Sequence, residues 1–233
     1  MWRNLLALAV IAAATTWYLT QDTVRDVHLR HADRFQDIRT ALHDISQVLP
    51  PEGQIRDTGC PGVPEGQQLF DHRDIRQQQY PSDAGNTVVL TPQQLTDPTG
   101  DNPLLILLRQ NFNDYMPADR DYEPYVDALS RIRYVVVTRT FNVDIGPADA
   151  LTFTSATASA EAVIADLTTR TILCSVTTTA TLAANEIPYT YRDPDHRDEN
   201  ARAAISSAVH NSATTALQFK LDVLRHGKID LSR

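Results

Sequence analysis

Hydrophobic and polar residues alternate along three segments in the second half of the chain, and this alternation predicts β-strands. The segments run from Arg133 to Val143, from Glu161 to Ala165 and from Thr171 to Leu182. They are dense in β-branched and aromatic residues, which suit a pleated surface buried on one side. One face of the last strand is predicted to carry Ile172, Cys174, Val176, Thr178, Ala180 and Leu182. The opposite face is mostly threonine, so we expect it to face solvent.

A second pattern, with a spacing that alternates between three and four residues, predicts a long helix before the sheet. Its members are Val24, His28, His31, Phe35, Ile38, Leu42, Ile45 and Leu49. Pro50 and Pro51 end this helix, because proline lacks the amide that the helix needs. The stripe either packs on the protein's own sheet or pairs with a second copy through residues 24–49. We favour the first interpretation, since sustained coiled coils usually run longer.

Further helix signals lie on either side of the predicted strands. Proline follows a capping residue at Thr91-Pro92 and at Asn102-Pro103, which is typical of a helix start. A closing helix from about Glu199 carries a stripe that includes Ile205, Val209 and Phe219. We predict that it lies across the sheet's inner face. The fold class is therefore α+β: a small antiparallel β-meander with helices packed on one face, behind an N-terminal membrane or signal helix and an amphipathic helix.

The N-terminus carries an uncharged run over residues 5–19, preceded by Arg3. It is either a retained membrane anchor, with Trp2 and Trp17 at the two interfaces, or a cleaved signal with Ala12 to Ala14 at the cleavage site. The directly following helix favours an anchor. Arg3 before the run places the N-terminus in the cytoplasm. We expect a single-pass protein of a bacterial inner membrane with a periplasmic domain; the alternative is a secreted or periplasmic protein after cleavage.

Changes in composition along the sequence divide the chain into four parts. Residues 1–20 form the anchor or signal, 21–49 the amphipathic juxtamembrane helix, 50–85 an irregular segment rich in proline and glycine, and 86–233 the α+β domain.

The charge of the chain excludes one class of partner and hints at a source. The formal net charge is −8 and only two lysines occur, Lys220 and Lys228. An acidic chain without a basic cluster repels phosphate backbones, so no nucleic acid is expected as a partner. The preference for arginine over lysine is typical of an arginine-rich bacterial genome, and the bacterial source rests on it.

Two cysteines are the clearest candidates for covalent chemistry. Cys60 lies in the irregular segment and Cys174 in the last predicted strand. In an oxidising compartment they could form one disulfide that ties the segment to the sheet. The alternative is a buried Cys174 and an unrelated, free Cys60.

Acid–base and cation candidates are weak. They are Asp71 and His72 in the irregular segment, and Asp193, Asp195 and His196 in a loop before the closing helix. His28 and His31, three apart on a helix, could share a metal, but no third ligand follows them. The motifs of serine hydrolases, zinc proteases and nucleotide-binding loops do not occur. We therefore predict no catalytic residue, no metal and no cofactor.

Three functions follow from these observations, in order of preference. The first is a non-enzymatic envelope accessory protein that works by contacting a protein partner. The second is a small-molecule or lipid-binding module with an apolar cavity between Ile172, Val176, Ile205 and Val209. The last is a hydrolase of unidentified type that uses Asp71, His72 or the loop near His196.

Overall fold

The computed structural model describes residues 22–58, 69–70, 86–100, 102–109, 118, 122–147, 152–186, 197–223, 227–228 and 231. Its helices are α1 (Val24–Val48), α2 (Pro92–Thr96), α3 (Pro103–Arg109), α4 (Tyr122–Ser130) and α5 (Arg197–Val223). Its strands are β1 (Leu69–Phe70), β2 (Thr87–Leu90), β3 (Tyr134–Ile145), β4 (Thr152–Asp166), β5 (Thr171–Glu186) and β6 (Gly227–Lys228). None of the helices in these ranges is long and apolar enough to cross a membrane. The predicted anchor at residues 1–20 lies outside them and stays a prediction.

The main sheet has four strands in the order β2-β3-β4-β5. β3, β4 and β5 form the predicted antiparallel meander, but β2 pairs with β3 in parallel, so the sheet is mixed. The reason lies in the connection, because the chain between β2 and β3 includes α2, α3 and α4. Parallel neighbours need such a long crossover, whereas the antiparallel strands are joined by short turns. The α+β class is confirmed, and the description as a purely antiparallel meander is corrected.

Helices cover both faces of the sheet, where the sequence predicted helices on one face only. α5 packs on one face, and α1 packs on the other together with α2, α3 and α4. The cause is visible in β3, where Val135 and Val137 contribute to the α1 side and Tyr134 and Val136 to the α5 side. A continuous apolar run of this kind is typical of a strand that is buried on both faces.

Helix α1 begins with a capping box, in which the Thr23 and Asp26 side chains each accept from the other's backbone N–H at 3.2 and 3.1 Å. Its buried positions include Phe35, Ile38 and Ile45 from the predicted stripe. The stripe therefore packs on the protein's own core, as the first interpretation had it. The helix ends at Val48, before the two prolines.

Helix α5 presents a row of residues four apart to the sheet rather than the predicted stripe. The buried row consists of Ala201, Ile205, Val209, Ala213, Leu217 and Leu221. Ile205 and Val209 were predicted correctly, but Phe219 is 69% exposed. A row four apart drifts slowly around a helix of 3.6 residues per turn, and this drift moves Phe219 to the outer side.

A β-bulge near the start of β5 reverses the side on which Ile172 lies. Ile164 is opposite Cys174 and the next residue, Ala165, is opposite Ile172, so β5 contains one extra residue, Leu173. Cys174 and Val176 face α5 as predicted, whereas Ile172 packs against the core on the α1 side. A one-residue insertion flips every side chain beyond it, and sequence alternation alone does not reveal it.

The turn that joins β4 to β5 is fixed by Asp166. Its side chain accepts hydrogen bonds from the Thr168 N–H at 2.7 Å and from the Arg133 Nη2 at 2.8 Å. Burial alone would raise the pKa of Asp166, but these hydrogen bonds outweigh it and the pKa is lowered. The ionised carboxylate thus holds the turn against β3.

Two single substitutions test whether α1 packs on its own domain. Ile38 is fully buried and Leu29 is 59% exposed on the same helix. Replacing Ile38 by alanine should lower the free energy of unfolding by about 2 to 5 kcal/mol, because it leaves a cavity. Leu29→Ala is the matched control and should change it by less than about 0.5 kcal/mol. Urea denaturation followed by circular dichroism measures both.

The same experiment separates the two interpretations of the stripe. If α1 packs on its own sheet, the urea midpoint is independent of protein concentration. A midpoint that rises with concentration, together with a strong effect of Leu29→Ala, would show instead that α1 pairs with a second copy.

Candidate binding cleft

A cleft of about 610 Å³ lies between strand β3 and helix α5. The described residues that line it are Thr91, Pro92, Thr138, Arg139, Thr140, His210, Asn211, Thr214, Thr215, Leu217, Gln218 and Leu231. Clefts of this volume are common binding sites for small molecules and short peptide segments. Most of the side chains in this lining carry hydroxyl or amide groups beside apolar groups such as Leu217 and Leu231, so the surface can donate and accept hydrogen bonds and also make apolar contacts.

The cleft exists because β2 is much shorter than β3. β2 ends at Leu90, since Thr91 and Pro92 begin helix α2 immediately afterwards. The Thr91 N–H donates to the Gln94 Oε1 at 2.9 Å, which fixes this change of direction. β3 continues to Ile145, well beyond its last register partner in β2. The side of β3 from Thr138 onward therefore borders the cleft instead of another described strand.

Helix α5 forms the opposite wall with its polar side. Asn211, Thr214 and Gln218 are three and four residues apart, so they follow one side of the helix. The adjacent side carries Ala213 and Leu217, which are buried against the sheet. The Leu231 N–H donates to the Gln218 Oε1 at 2.7 Å, which holds Leu231 beside the helix in the cleft lining.

Charge is unevenly distributed between the cleft and the rest of the chain. None of the described lining residues is a carboxylate, although the chain has a net charge of −8. Arg139 is committed elsewhere: its side chain forms an ion pair with Glu161 and donates to the Pro50 carbonyl at 2.8 Å. That leaves His210 as the exposed ionisable side chain among the described lining residues. The described lining therefore offers one titratable side chain and no acid–base pair.

Glu161 lies in the middle of β4, and the sequence analysis did not single it out. It is only 1% exposed, and its Oε2 has no hydrogen-bond partner. Its other oxygen accepts from Arg139, which faces it in the β3–β4 register. Two charged residues in apolar strands are a visible signal, but their pairing depends on a register that the sequence does not contain.

Residues 50–58 form a strap that crosses the α1 side of the sheet from β3 to β5. Pro50 is bonded to Arg139, and Gly53 contacts the ring of Phe141, both in β3. At the other end the Thr58 N–H donates to the Ser175 carbonyl at 2.9 Å in β5. The strap passes over β4, which agrees with the deep burial of Glu161.

The strap and helix α5 together cover part of the outer edge of β5, at Ser175 and Thr177. The Ser175 N–H donates to the Thr58 Oγ1 at 3.0 Å. The Lys220 Nζ donates to the Thr177 carbonyl at 2.5 Å and to the Asp57 Oδ2 at 2.6 Å. These contacts occupy backbone groups that an edge strand would otherwise expose.

Cys174 is the one predicted site residue that the structure describes. It is buried, and no cysteine among the described residues has a free thiol. The predicted partner, Cys60, lies outside the described residues, so the pairing stays a prediction. Thr58, two residues before Cys60, is bonded to the neighbour of Cys174. Two residues of extended chain span about 7 Å, which is sufficient for the usual separation of bridged cysteines.

The other candidates lie outside the described residues. They are Asp71, His72, Asp193, Asp195 and His196. Within the part of the chain that the structure does describe, no group of histidine, cysteine and carboxylate side chains could hold a metal ion.

The predicted apolar cavity does not have the expected lining. Val176, Ile205 and Val209 are packed together in the core beneath α5, each no more than 2% exposed. Ile172 lies on the opposite face because of the bulge at Leu173. The cleft described above is also between the sheet and the closing helix, but it lies farther along both elements and its lining includes many hydroxyl and amide side chains.

His28 faces the core rather than a metal. It is 6% exposed, and its Nε2 lies 2.5 Å from the Tyr122 hydroxyl oxygen. Burial, with a smaller contribution from the charge of His31, lowers the pKa of His28 to about 4. A neutral imidazole at this position joins α1 to α4 through Tyr122.

No protein-family model, no curated protein and no solved structure matches the chain.

The disulfide can be tested by peptide mapping without reduction. We expect one cross-linked peptide that contains Cys60 and Cys174, and no free thiol in the unfolded, unreduced protein. In the chain-entropy model, a bond that closes a loop of about 110 residues contributes about 4 to 5 kcal/mol, so reduction should lower the urea midpoint. Cys60→Ser is the control, since it should expose one free thiol on unfolding. Two free thiols in the wild type would contradict the pairing.

The buried His28 should make stability depend on pH. Unfolded His28 binds its proton near pH 6.5 and the folded form near pH 4. Between these values the unfolded chain is the better proton acceptor, so the free energy of unfolding falls as the pH drops, by on the order of 3 kcal/mol. Urea titrations at pH 7, 5.5 and 4.5 measure this change in the free energy of unfolding. His28→Gln should flatten this dependence, whereas His43→Gln, at an exposed position of the same helix, should not.

Proposed function

We propose that the chain is a non-enzymatic accessory protein of a bacterial cell envelope and that the cleft between β3 and α5 is its contact surface. In this proposal residues 1–20 tether it to the inner membrane, and the α+β domain lies on the periplasmic side. The domain acts by binding a protein partner. The single observation that carries the proposal is the cleft itself: none of its described lining residues is a carboxylate, although the chain is acidic.

The charged groups of the described domain support binding over catalysis. Arg133 with Asp166, Arg139 with Glu161 and Arg170 with Asp44 each join two elements of the fold. These side chains are committed to structural ion pairs. The described cleft offers His210 as its one exposed titratable side chain and no second group with which it could form an acid–base pair.

The tether is supported by the sequence that precedes α1. The capping box at Thr23 and Asp26 starts α1, and the Ala118 N–H donates to the Asp22 carbonyl at 2.8 Å, so the chain is held to the domain from Asp22 onward. An apolar run with Arg3 before it precedes this point, which is the arrangement of a signal or anchor segment.

A small-molecule binder is the second candidate, and the volume of the cleft favours it. About 610 Å³ lies within the range of ligand pockets. The lining combines hydroxyl and amide groups with apolar side chains such as Leu217 and Leu231, so a small molecule that carries both kinds of group would fit it. A second cavity of about 550 Å³, between α1, α2 and α3, is lined in part by Arg39, His43 and Arg109.

Site-specific photo-cross-linking in cells tests the proposed contact surface. A benzophenone amino acid replaces His210 in the cleft or, as the control, Arg202, which is exposed on the same helix. We expect a discrete cross-linked protein band from position 210, found in the membrane fraction, and none from position 202. The band should carry the intact N-terminus, since an anchor is retained.

Two outcomes would contradict this proposal. Equal cross-linking from both positions, or none from either, would remove the cleft as the contact surface. A soluble periplasmic protein whose first residue is Thr15 would remove the anchor.

A further inference from the structure

The described contacts to backbone groups differ between the β5 edge of the sheet and the edge of β3 beyond β2. At the β5 side, the strap and Lys220 occupy backbone groups of Ser175 and Thr177. At the β3 side, β2 covers β3 only from Tyr134 to Val137. Exposed edges are an aggregation liability that folded proteins usually cover. The edge of β3 from Thr138 onward lies beside a cleft and has no partner strand among the described residues.

The direction of the uncovered groups follows from the alternation of the ladder. The Tyr134 N–H donates to the Asn86 carbonyl, so Tyr134 directs its backbone groups away from β4. Every second residue of a strand points to the same side. The last register pair, Leu90 with Val137, leaves the Thr138 carbonyl and both backbone groups of Thr140 without a partner strand among the described residues. These three groups lie at the cleft.

The length of this edge is also defined. A bulge lies between Phe141 and Asp144, and Asn142 has a φ of 50°. A bulge with a left-handed residue bends the strand and ends regular pairing. The usable edge therefore runs over about four residues, from Thr138 to Phe141. It fits one short strand and not a whole sheet.

We infer that the cleft binds an extended segment of a partner polypeptide, which adds as a strand to the edge of β3 at Thr138 and Thr140. The inference rests on the proposed function, since it specifies how the contact surface works. The segment's backbone pairs with β3, and its side chains on one face meet Asn211 and Thr214 of α5. The absence of carboxylates from the described lining favours a segment with small, neutral or acidic side chains over a basic one.

The decisive variant is Thr140→Pro in the full-length chain in mild detergent. Proline removes the Thr140 N–H, which points to the cleft, and spares the β3–β4 ladder, because the N–H does not face β4. The residue before it, Arg139, is already extended, as proline requires. Thr140→Val is the matched control, since it removes the hydroxyl and keeps the N–H. Circular dichroism and thermal unfolding of both variants establish that they fold.

The probe is a fluorescein-labelled octapeptide selected against the wild-type chain from a random eight-residue display library. Its affinity is measured by fluorescence anisotropy. We expect Thr140→Pro to weaken binding at least tenfold and Thr140→Val to weaken it less than threefold. A series of singly N-methylated octapeptides should lose affinity at every second backbone position, because only alternate N–H groups of an added strand face β3.

Several results would overturn the inference. Selection of no peptide, or N-methyl effects without a period of two, would exclude strand addition. Equal affinity of wild type and Thr140→Pro would exclude this edge, and selection of basic peptides would contradict the charge argument. A wild-type chain that dimerises through the cleft would identify a second copy as the occupant. If position 210 cross-links a partner in cells and the methylation pattern is still absent, the proposed function stands and strand addition fails.

Discussion

The fold depends on the central strand β4, which is paired on both edges and covered on both faces. Its α5 side carries four alanines in alternate positions, Ala156, Ala158, Ala160 and Ala162, all buried. Small side chains allow α5 to approach the sheet closely, and the buried row of that helix begins and continues with alanine at Ala201 and Ala213. Larger residues at these positions of β4 would force the helix away, since cores are packed at nearly crystalline density. The position of the cleft wall is thus a consequence of the alanine row.

Two ion pairs join β4 to the neighbouring chain segment. Glu161 lies on the opposite face of β4 and is paired with Arg139 of β3, and Asp166 at the end of β4 is paired with Arg133, which directly precedes β3. Buried ion pairs contribute little net stability, because desolvation offsets most of the attraction, but an unpaired buried charge is costly. The pairs therefore favour one register of β3 against β4 over its neighbours. That register places Thr138 and Thr140 beside α5. The two ion pairs therefore help to determine which residues of β3 line the cleft.

Much of this arrangement is visible in the sequence, and the failures have specific causes. The strands β3 and β5, the last part of β4, the end of α1 before Pro50 and the burial of Phe35 and Ile45 follow from local patterns, whereas the first part of β4, from Thr152 to Ala160, was not predicted. The parallel pairing of β2 does not, because a four-residue apolar run carries no information about its partner. The continuous apolar run from Tyr134 to Val137 is typical of a strand that is buried on both faces. The predicted strand was instead expected to be buried on one face only.

The cleft was harder to predict because each of its determinants is a boundary or a register. Thr91 and Pro92 signal a helix start, but only the β2–β3 register shows that this start uncovers the edge of β3. The polar side of α5 resembles any solvated helix face until the sheet is placed beside it. Threonine in a strand is compatible with solvent exposure or with a lined cleft, and the sequence alone cannot distinguish them. Sites built from backbone edges leave little trace in side-chain patterns.

The two layers of helices lie on opposite faces of the sheet. The proposed tether precedes a helix of one layer, and the cleft is lined by the helix of the other. Helix α1 begins directly after the predicted anchor. It is held to α4 by its buried row, by the contact of His28 with Tyr122 and by Arg34, which donates to the Ser130 and Ile132 carbonyls. Helix α5 lies on the other face, so the cleft is separated from α1 by the full thickness of the sheet. In the proposed function, a tether that precedes α1 joins the layer that does not line the cleft. That arrangement would leave the α5 face available for contact with a partner.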